Sequence, residues 1–336
     1  MPRTPIVILG ALLVLSACAR MQVQEVGESG GAPELTANRV ITADGARLPL
    51  TYWYPEGEPA RVVLALHGFN DFSGAFESLA DALTADATAV YAYDQRGFGA
   101  TRQRGIWAGR ERLVDDALTV LELLDRRYPD TPLYLVGESM GAAVAMHVLD
   151  DAPGSRLAGG ILLAPAVWAR DRQPWYQRAA LWLGIRTVPG IRLDREWIDI
   201  RPTDDPEVMA YWDTHPLVIR RTRLDALEGV TRLMDSAMAT VPDLPSPLLT
   251  LYGGEDEVVP PAAICGMLEA WPADGRGARR FAYYPGGWHL LTRDSRASET
   301  IDDMGAWLHD PHGALPSGHE LEVDEAATLL CNDRRR

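Results

Sequence analysis

The sequence contains no lysine, only three cysteines, seven histidines and five phenylalanines among 336 residues. All 32 basic side chains are therefore arginines, set against 47 Asp and Glu for a formal charge of -15. That acidic balance argues against non-specific binding to nucleic acid or to an anionic bilayer through general electrostatics, so no nucleic-acid partner is expected. No cysteine falls in a CxxC pair and the histidines are scattered, so no built-in zinc site can be read. Beyond the first twenty residues no run is long and apolar enough to span a membrane. There is no internal repeat, and Gly97-x-Gly99 lacks the further glycine and helix that a phosphate cradle needs. What is present is a 47% apolar composition, enough for a sizeable core, in a length that suits one large domain or a domain with an insertion.

The first residues read as a targeting segment. Arg3 precedes an apolar run that is too short for a comfortable transmembrane helix, which is the pattern of a secretory signal over residues 1–17. The run ends Leu15-Ser16-Ala17-Cys18, which resembles the lipobox of bacterial lipoproteins. That resemblance implies cleavage before Cys18, acylation of its thiol and amine, and tethering to a bilayer in the cell envelope. With Ala19 following, it implies the outer membrane, periplasmic side, in a Gram-negative organism. Residues 18–37 carry no core-forming periodicity and read as a flexible tether. Removing 1–17 leaves 31 bases against 47 acids, or -16. Cys265 and Cys331 can pair in an oxidising compartment or stay as two buried thiols, and both readings stand.

Between 38 and 310 apolar runs of strand length alternate with helical periodicity. The strands are expected at Val62–His67, Ala89–Asp94, Leu133–Gly137, Gly160–Ala164, Pro247–Tyr252 and Arg280–Tyr284, after a hairpin turning at Asp44-Gly45. The alternation predicts an α/β fold, a mostly parallel central sheet with helices on both faces. From about 165 to 246 the rhythm stops, and several short helices are expected. This insertion carries 11 Arg against 12 acids and five of the ten tryptophans (Trp168, Trp175, Trp182, Trp197 and Trp212), and it reads as a helical cap. At least half of those rings should seat the cap on the body. Residues 311–336 are a C-terminal extension with a short outer helix.

Gly137-Glu138-Ser139-Met140-Gly141 lies between an apolar strand and a small-residue helix, the context of a nucleophile elbow. Gly137 and Gly141 let strand and helix approach closely, and Ser139 is the candidate nucleophile. A serine needs a base and the base an orienting acid. His289 follows one late strand and Asp256 another, with Glu255 and Glu257 as rivals for the acid. His147, His215, His309, His312 and His319 are poorer bases by position. The order Ser139, Asp256, His289 is that of the α/β-hydrolases. The oxyanion donors are expected from the Met140 and Phe69 amides, with Gly68 allowing close approach and the two side chains lining an acyl site. His67 is read as a loop anchor, and Asn70 as either a side-chain donor or an anchor.

With these residues in view, the chain from about Val40 to Leu308 resembles the monoacylglycerol lipase and lysophospholipase branch of the α/β-hydrolases, also described as serine-aminopeptidase-like. The resemblance rests on His67-Gly68-Phe69, Tyr93 to Gly99, Gly137 to Gly141, Gly253 to Pro260 and Gly287-Trp288-His289. It implies the α/β-hydrolase fold, Ser139 as nucleophile, Asp256 as acid, His289 as base and Phe69 and Met140 as oxyanion amides. It also implies that Asp94 and Arg96 hold a structural loop, which a mutual Asp–Arg pair would do. No cofactor and no metal are implied. The expected activity is hydrolysis of a single-chain lipid ester or another small ester. A peptidase or thioesterase, and a non-catalytic lipoprotein module, are the alternatives.

Overall fold

The computed structural model describes residues 20–25, 27, 30–151, 157–194, 200–272 and 279–332. The signal segment, Cys18 and Trp197 lie outside these residues. The apolar runs become β4 (Arg61–Leu66), β5 (Thr88–Tyr93), β6 (Leu133–Glu138), β7 (Leu157–Leu163), β10 (Leu248–Gly253) and β11 (Arg279–Tyr284). They lie side by side in the order β5-β4-β6-β7-β10-β11, every neighbouring pair parallel. Parallel pairing carries all six C-terminal ends, and the loops that leave them, to one edge of the sheet. The expected hairpin also forms: β2 (Arg39–Ile41) pairs antiparallel with β3 (Arg47–Trp53), and Gly45 takes the left-handed turn position at φ 76°.

Alternation within each strand decides what covers the sheet. Val62, Leu64 and Leu66 of β4 join one apolar cluster and Val63 and Ala65 join another, so neither face is free for solvent. The first face is covered by α2 (Arg110–Arg127), α3 (Met140–Asp151) and α7 (Pro261–Ala270), and the second by α1 (Glu77–Ala85) and α8 (Ala297–His309). On α2 the buried side chains Leu113, Ala117, Val120, Leu121 and Leu124 recur every three or four residues, so one stripe of the helix faces the sheet.

Two expectations are corrected. The stretch 18–37, read as a flexible tether, is attached to the body at several of its described residues. Glu34–Leu35 is β1, paired with β2, and Gln24 donates hydrogen bonds from its backbone N–H to the Trp107 carbonyl and from its Nε2 to the Ile106 carbonyl. The cap is not made only of short helices. It holds α4 (Trp175–Thr187), α5 (Pro206–Thr214) and the 17-residue α6 (Leu224–Thr240), with a separate ribbon of β8 (Arg192–Asp194) and β9 (Arg221–Arg223). Its indoles divide as well. Trp168 packs on the core, whereas Trp175 and Trp182 on α4 are 77% and 56% exposed. The C-terminal extension carries its expected outer helix, which packs on the body. Its β12 (Glu320–Leu321) adds an antiparallel edge strand to β11, too short to show a period, and α9 (Val323–Asn332) buries Ala326 and Leu330 in the core.

Cys265 on α7 and Cys331 on α9 form a disulfide across 66 residues of sequence. Closing a loop of that length removes conformational freedom from the unfolded chain, typically about 2–4 kcal/mol. A Cys331→Ser variant is therefore expected to unfold at lower guanidinium concentration than the oxidised wild type. Adding reductant should lower the wild type to the same level and leave the variant where it was.

Candidate active site

At the end of β6 the chain turns through Ser139 with φ 54°, a left-handed conformation that costs a non-glycine residue free energy and is kept where surrounding structure enforces it. Enforcement here comes from the backbone. Ser139 N–H donates to the Leu163 carbonyl at 2.9 Å, and its own carbonyl accepts from Ala142, Ala143 and Ala166. The flanking glycines are required by contact. A Cβ on Gly137 would lie 2.5 Å from Ala142 Cα, and one on Gly141 would overlap the Leu66 carbonyl oxygen. That second contact shows how tightly the start of α3 sits against the end of β4, and so against the loop that follows it.

That loop is His67-Gly68-Phe69-Asn70. A Cβ on Gly68 would stand 3.4 Å from Ser139 Cβ, which brings the Phe69 amide to the nucleophile's neighbourhood. Among the described residues neither Phe69 N–H nor Met140 N–H has a backbone or side-chain acceptor, and Met140 N–H heads a helix, where amides have no internal partner. His67 is fully buried and bonded on all sides. Its Nε2 accepts from Gln95 N–H at 3.0 Å, Gln95 Nε2 donates to its carbonyl at 2.7 Å, and its Nδ1 lies 2.8 Å from Gly68 O. Burial holds its pKa below the ordinary histidine value, so it stays a neutral anchor. Asn70 uses its side-chain amide to hold Thr222 of the cap at 2.7 Å, which favours the anchor over the donor. The Phe69 ring meets Phe98 edge-on, while the Met140 side chain is wholly within the core and lines no open acyl site.

The loops after β10 and β11 supply a carboxylate and an imidazole. His289 Nδ1 lies 2.8 Å from Asp256 Oδ2, and Asp256 Oδ1 accepts from Val258 N–H and Val259 N–H at 2.7 and 2.9 Å. Both residues are buried. The rivals are set aside by position: Glu255 and Glu257 point outward, Glu257 toward Arg201. His147 bonds Ser236, His215 stacks on Phe72, His309 meets Arg61, His319 pairs with Glu299, and His312 is exposed. Burial works against a protonated His289, but the Asp256 charge and hydrogen bond, followed by the Glu138 charge, carry its pKa above the ordinary value. Among the described residues no hydrogen bond joins Ser139 Oγ to the ring. Such bonds are often long before substrate binds.

The expected Asp94–Arg96 pair does not form. Asp94 instead accepts from the Ser73 and Ala100 amides, and Arg96 is clamped by Asp116 and Asp44 at 2.6 Å each. Each still holds its loop, but through different partners. Sequence reasoning passed over a second group altogether. Arg293, four residues past His289, reaches both Glu138 and Asp71. The available signal was an acid in the variable position of the G-x-S-x-G turn, between an apolar strand and an apolar helix.

A family model described as "Serine aminopeptidase, S33" matches residues 57–296. The chain belongs to this family. Curated relatives include a monoacylglycerol lipase of Mycolicibacterium smegmatis, 27% identical over 270 residues, which spans 79% of this chain and 93% of that one. A monoglyceride lipase of Mus musculus is 26% identical over 288 residues, spanning 83% and 92%. Among solved structures, a soluble variant of monoglyceride lipase from Saccharomyces cerevisiae in complex with a substrate analog superposes with a TM-score of 0.69. It is 19% identical and covers 87% of this chain and 99% of that one, a likeness of fold. The fold is that of the α/β-hydrolases, as the motifs implied.

Proposed function

We propose that this S33-family member is a serine hydrolase that cleaves single-chain lipid esters, monoacylglycerols or lysophospholipids, through an acyl-enzyme. That it is a carboxylic ester hydrolase acting on a lipid substrate follows from the family match together with the monoacylglycerol lipases it resembles. The observation that carries the mechanism is the buried Asp256–His289 pair, delivered to the sheet edge where Ser139 is held at positive φ. In this reading His289 Nε2 takes the Ser139 proton as Oγ attacks the ester carbonyl. Asp256 holds Nδ1–H and with it the tautomer that leaves Nε2 basic. The Phe69 and Met140 amides receive the negative oxygen, each contributing about 3 kcal/mol to lowering the barrier. The imidazolium then protonates the leaving alcohol, and a water activated by the same ring clears the acyl group.

The choice of a lipid rests on the relatives and on the cap, where Trp175, Tyr176, Trp182 and Leu183 are exposed along α4 beside arginines; Arg186 lies 4.0 Å from the Trp182 ring. Aromatic rings with polar edges suit the boundary between water and acyl chains. Turnover of p-nitrophenyl esters of graded length is expected to peak near eight to twelve carbons. A peak at two to four carbons would sink the lipid assignment, and turnover of aminoacyl anilides in preference to esters would move the protein to the peptidases. A fluorophosphonate probe should label Ser139.

The bilayer is the proposed location. The support is the Leu15-Ser16-Ala17-Cys18 sequence, whose acyl chains would contribute about 0.8 kcal/mol per buried CH₂. Cells expressing the full chain should incorporate an alkyne palmitate into it. The Cys18→Ala variant should take up none and move to the soluble envelope fraction.

A further inference from the structure

Three loops must keep register for the proposed reaction: the elbow with Ser139, the loop with Phe69 and the loop with His289. One guanidinium touches all three. Arg293 belongs to the histidine loop, and its Nη2 lies 2.7 Å from Glu138 Oε2 and 2.9 Å from Asp71 Oδ2. Glu138 immediately precedes Ser139, and Asp71 stands two residues after Phe69. The side chains of Arg293, Glu138 and Asp71 are 9%, 1% and 2% exposed. Within the histidine loop Arg293 N–H donates to Leu290 O at 2.7 Å and Trp288 N–H to Asp294 Oδ2 at 2.8 Å. Outside it the loop bonds the cap through Leu290 N–H to Pro202 O and Thr203 Oγ1 to Arg293 O, and the acid loop through His289 and Asp256. Among the described residues it is the Arg293 side chain that links this loop to the elbow and to the Phe69 loop.

We propose that the Glu138–Arg293–Asp71 triad is a positioning device for the active site, clamping the nucleophile, oxyanion and histidine loops together, with Glu138 serving as a second carboxylate that stabilises the protonated His289. The proposal rests on the serine-hydrolase reading above. A purely stabilising role fits the triad poorly. Well-packed apolar side chains stabilise an interior as well as buried ions do or better, so ions retained there call for another reason. The group is also incompletely satisfied: among the described residues Glu138 Oε1 and Arg293 Nε have no hydrogen-bond partner. Its charges do not balance internally either, since two carboxylates share one guanidinium. Glu138 adjoins Ser139 in sequence, and its charge favours the positive charge that develops when His289 takes the serine proton. Burial and Asp71 push its own carboxyl above the ordinary value, while Arg293 and His289 pull it down.

The electrostatics agree in direction. The charged groups facing His289 are Asp256 from the loop after β10, Glu138 from the elbow and Arg293 from its own loop; the two acids favour the imidazolium and Arg293 opposes it. Glu138 and Asp71 in turn keep Arg293 charged against burial. His67 and Tyr211 also sense Arg293 and Asp71.

The test compares the full-length protein with Glu138→Gln, which keeps the shape and removes the charge, and with Arg293→Lys, which keeps the charge but offers a single ammonium in place of the fork. The His289 ring is titrated by NMR, kcat/KM is followed against pH on a soluble p-nitrophenyl ester, and folding is monitored by circular dichroism. The reaction needs neutral His289, so activity falls as pH drops through its pKa. Removing the Glu138 charge should move both the NMR titration and the low-pH limb downward by about one pH unit, a tenfold change in the proton affinity of the ring. It should also lower kcat about tenfold with little change in KM. Arg293→Lys should lower kcat several-fold while its titration stays closer to wild type than that of Glu138→Gln. A folded Glu138→Gln protein with an unmoved His289 titration overturns the electrostatic role. Wild-type kcat in Arg293→Lys overturns the clamp, and it decides that point even if Glu138→Gln does not fold. If the wild type neither turns over esters nor labels with fluorophosphonate, it is the hydrolase reading that fails, and the NMR comparison still decides whether Glu138 acts on His289.

Discussion

Ser139→Ala is expected to lower kcat on any ester substrate by about 10⁵- to 10⁶-fold and to abolish fluorophosphonate labelling, with folding intact. The size follows from the mechanism. Without Oγ no acyl-enzyme forms, and His289 and the oxyanion amides retain only their ability to orient a water, a residual effect of about 10³- to 10⁴-fold over solution. Stability should hardly move. The backbone at 139 keeps φ 54° with either residue, and the hydrogen bonds that hold the turn run through its N–H and C=O. The measurement is burst-phase ester turnover beside thermal unfolding of both proteins. A folded variant that keeps more than about a hundredth of wild-type kcat would remove Ser139 from the mechanism.

Asp256→Asn should cost about 10⁴-fold in kcat, more than the loss of one hydrogen bond explains. The reason is orientation. Asp256 Oδ1 accepts from two backbone amides, Val258 and Val259, so in the variant the amide oxygen must occupy that position and the NH₂ must face His289. An NH₂ there requires Nδ1 of His289 to accept, which moves the ring proton to Nε2, the atom that has to take the serine proton. The imidazole stays in place but in the wrong tautomer. Crystallography of the variant would then show unchanged side-chain positions, while ¹⁵N NMR would report protonated Nε2. Near-wild-type activity in this variant would return the acid's role to another group.

Legibility in the sequence differed by kind of feature. The six core strands carried their own signal because a strand buried on both faces must be apolar at every position, as Val62–Leu66 and Leu133–Val136 are. Their helices were legible for the same reason on one stripe, as on α2. The two-residue strands β1 and β12 were not, because two residues have no period and their pairing depends on a partner elsewhere in the chain. Arg96 was recognisable as a structural residue, but its partners Asp44 and Asp116 are 52 and 20 residues distant. Nothing local distinguishes those acids from solvated ones.

The short motifs around Ser139, Asp256 and His289 name their chemistry without coordinates, since the close approach of strand and helix demands glycine at 137 and 141 and the order of the three residues is a matter of reading along the chain. Local composition determined that much: an α/β sheet, an insertion at the cap position and a candidate serine, acid and base. The tertiary structure alone brought the Asp256 carboxylate onto the His289 ring, joined Cys265 to Cys331, left Trp175 and Trp182 facing outward and placed Arg293 between Glu138 and Asp71. These four outcomes share a cause. Each depends on which distant segment arrives within a few ångströms once the sheet is ordered, and burial then decides which charge is kept, paired or turned to water.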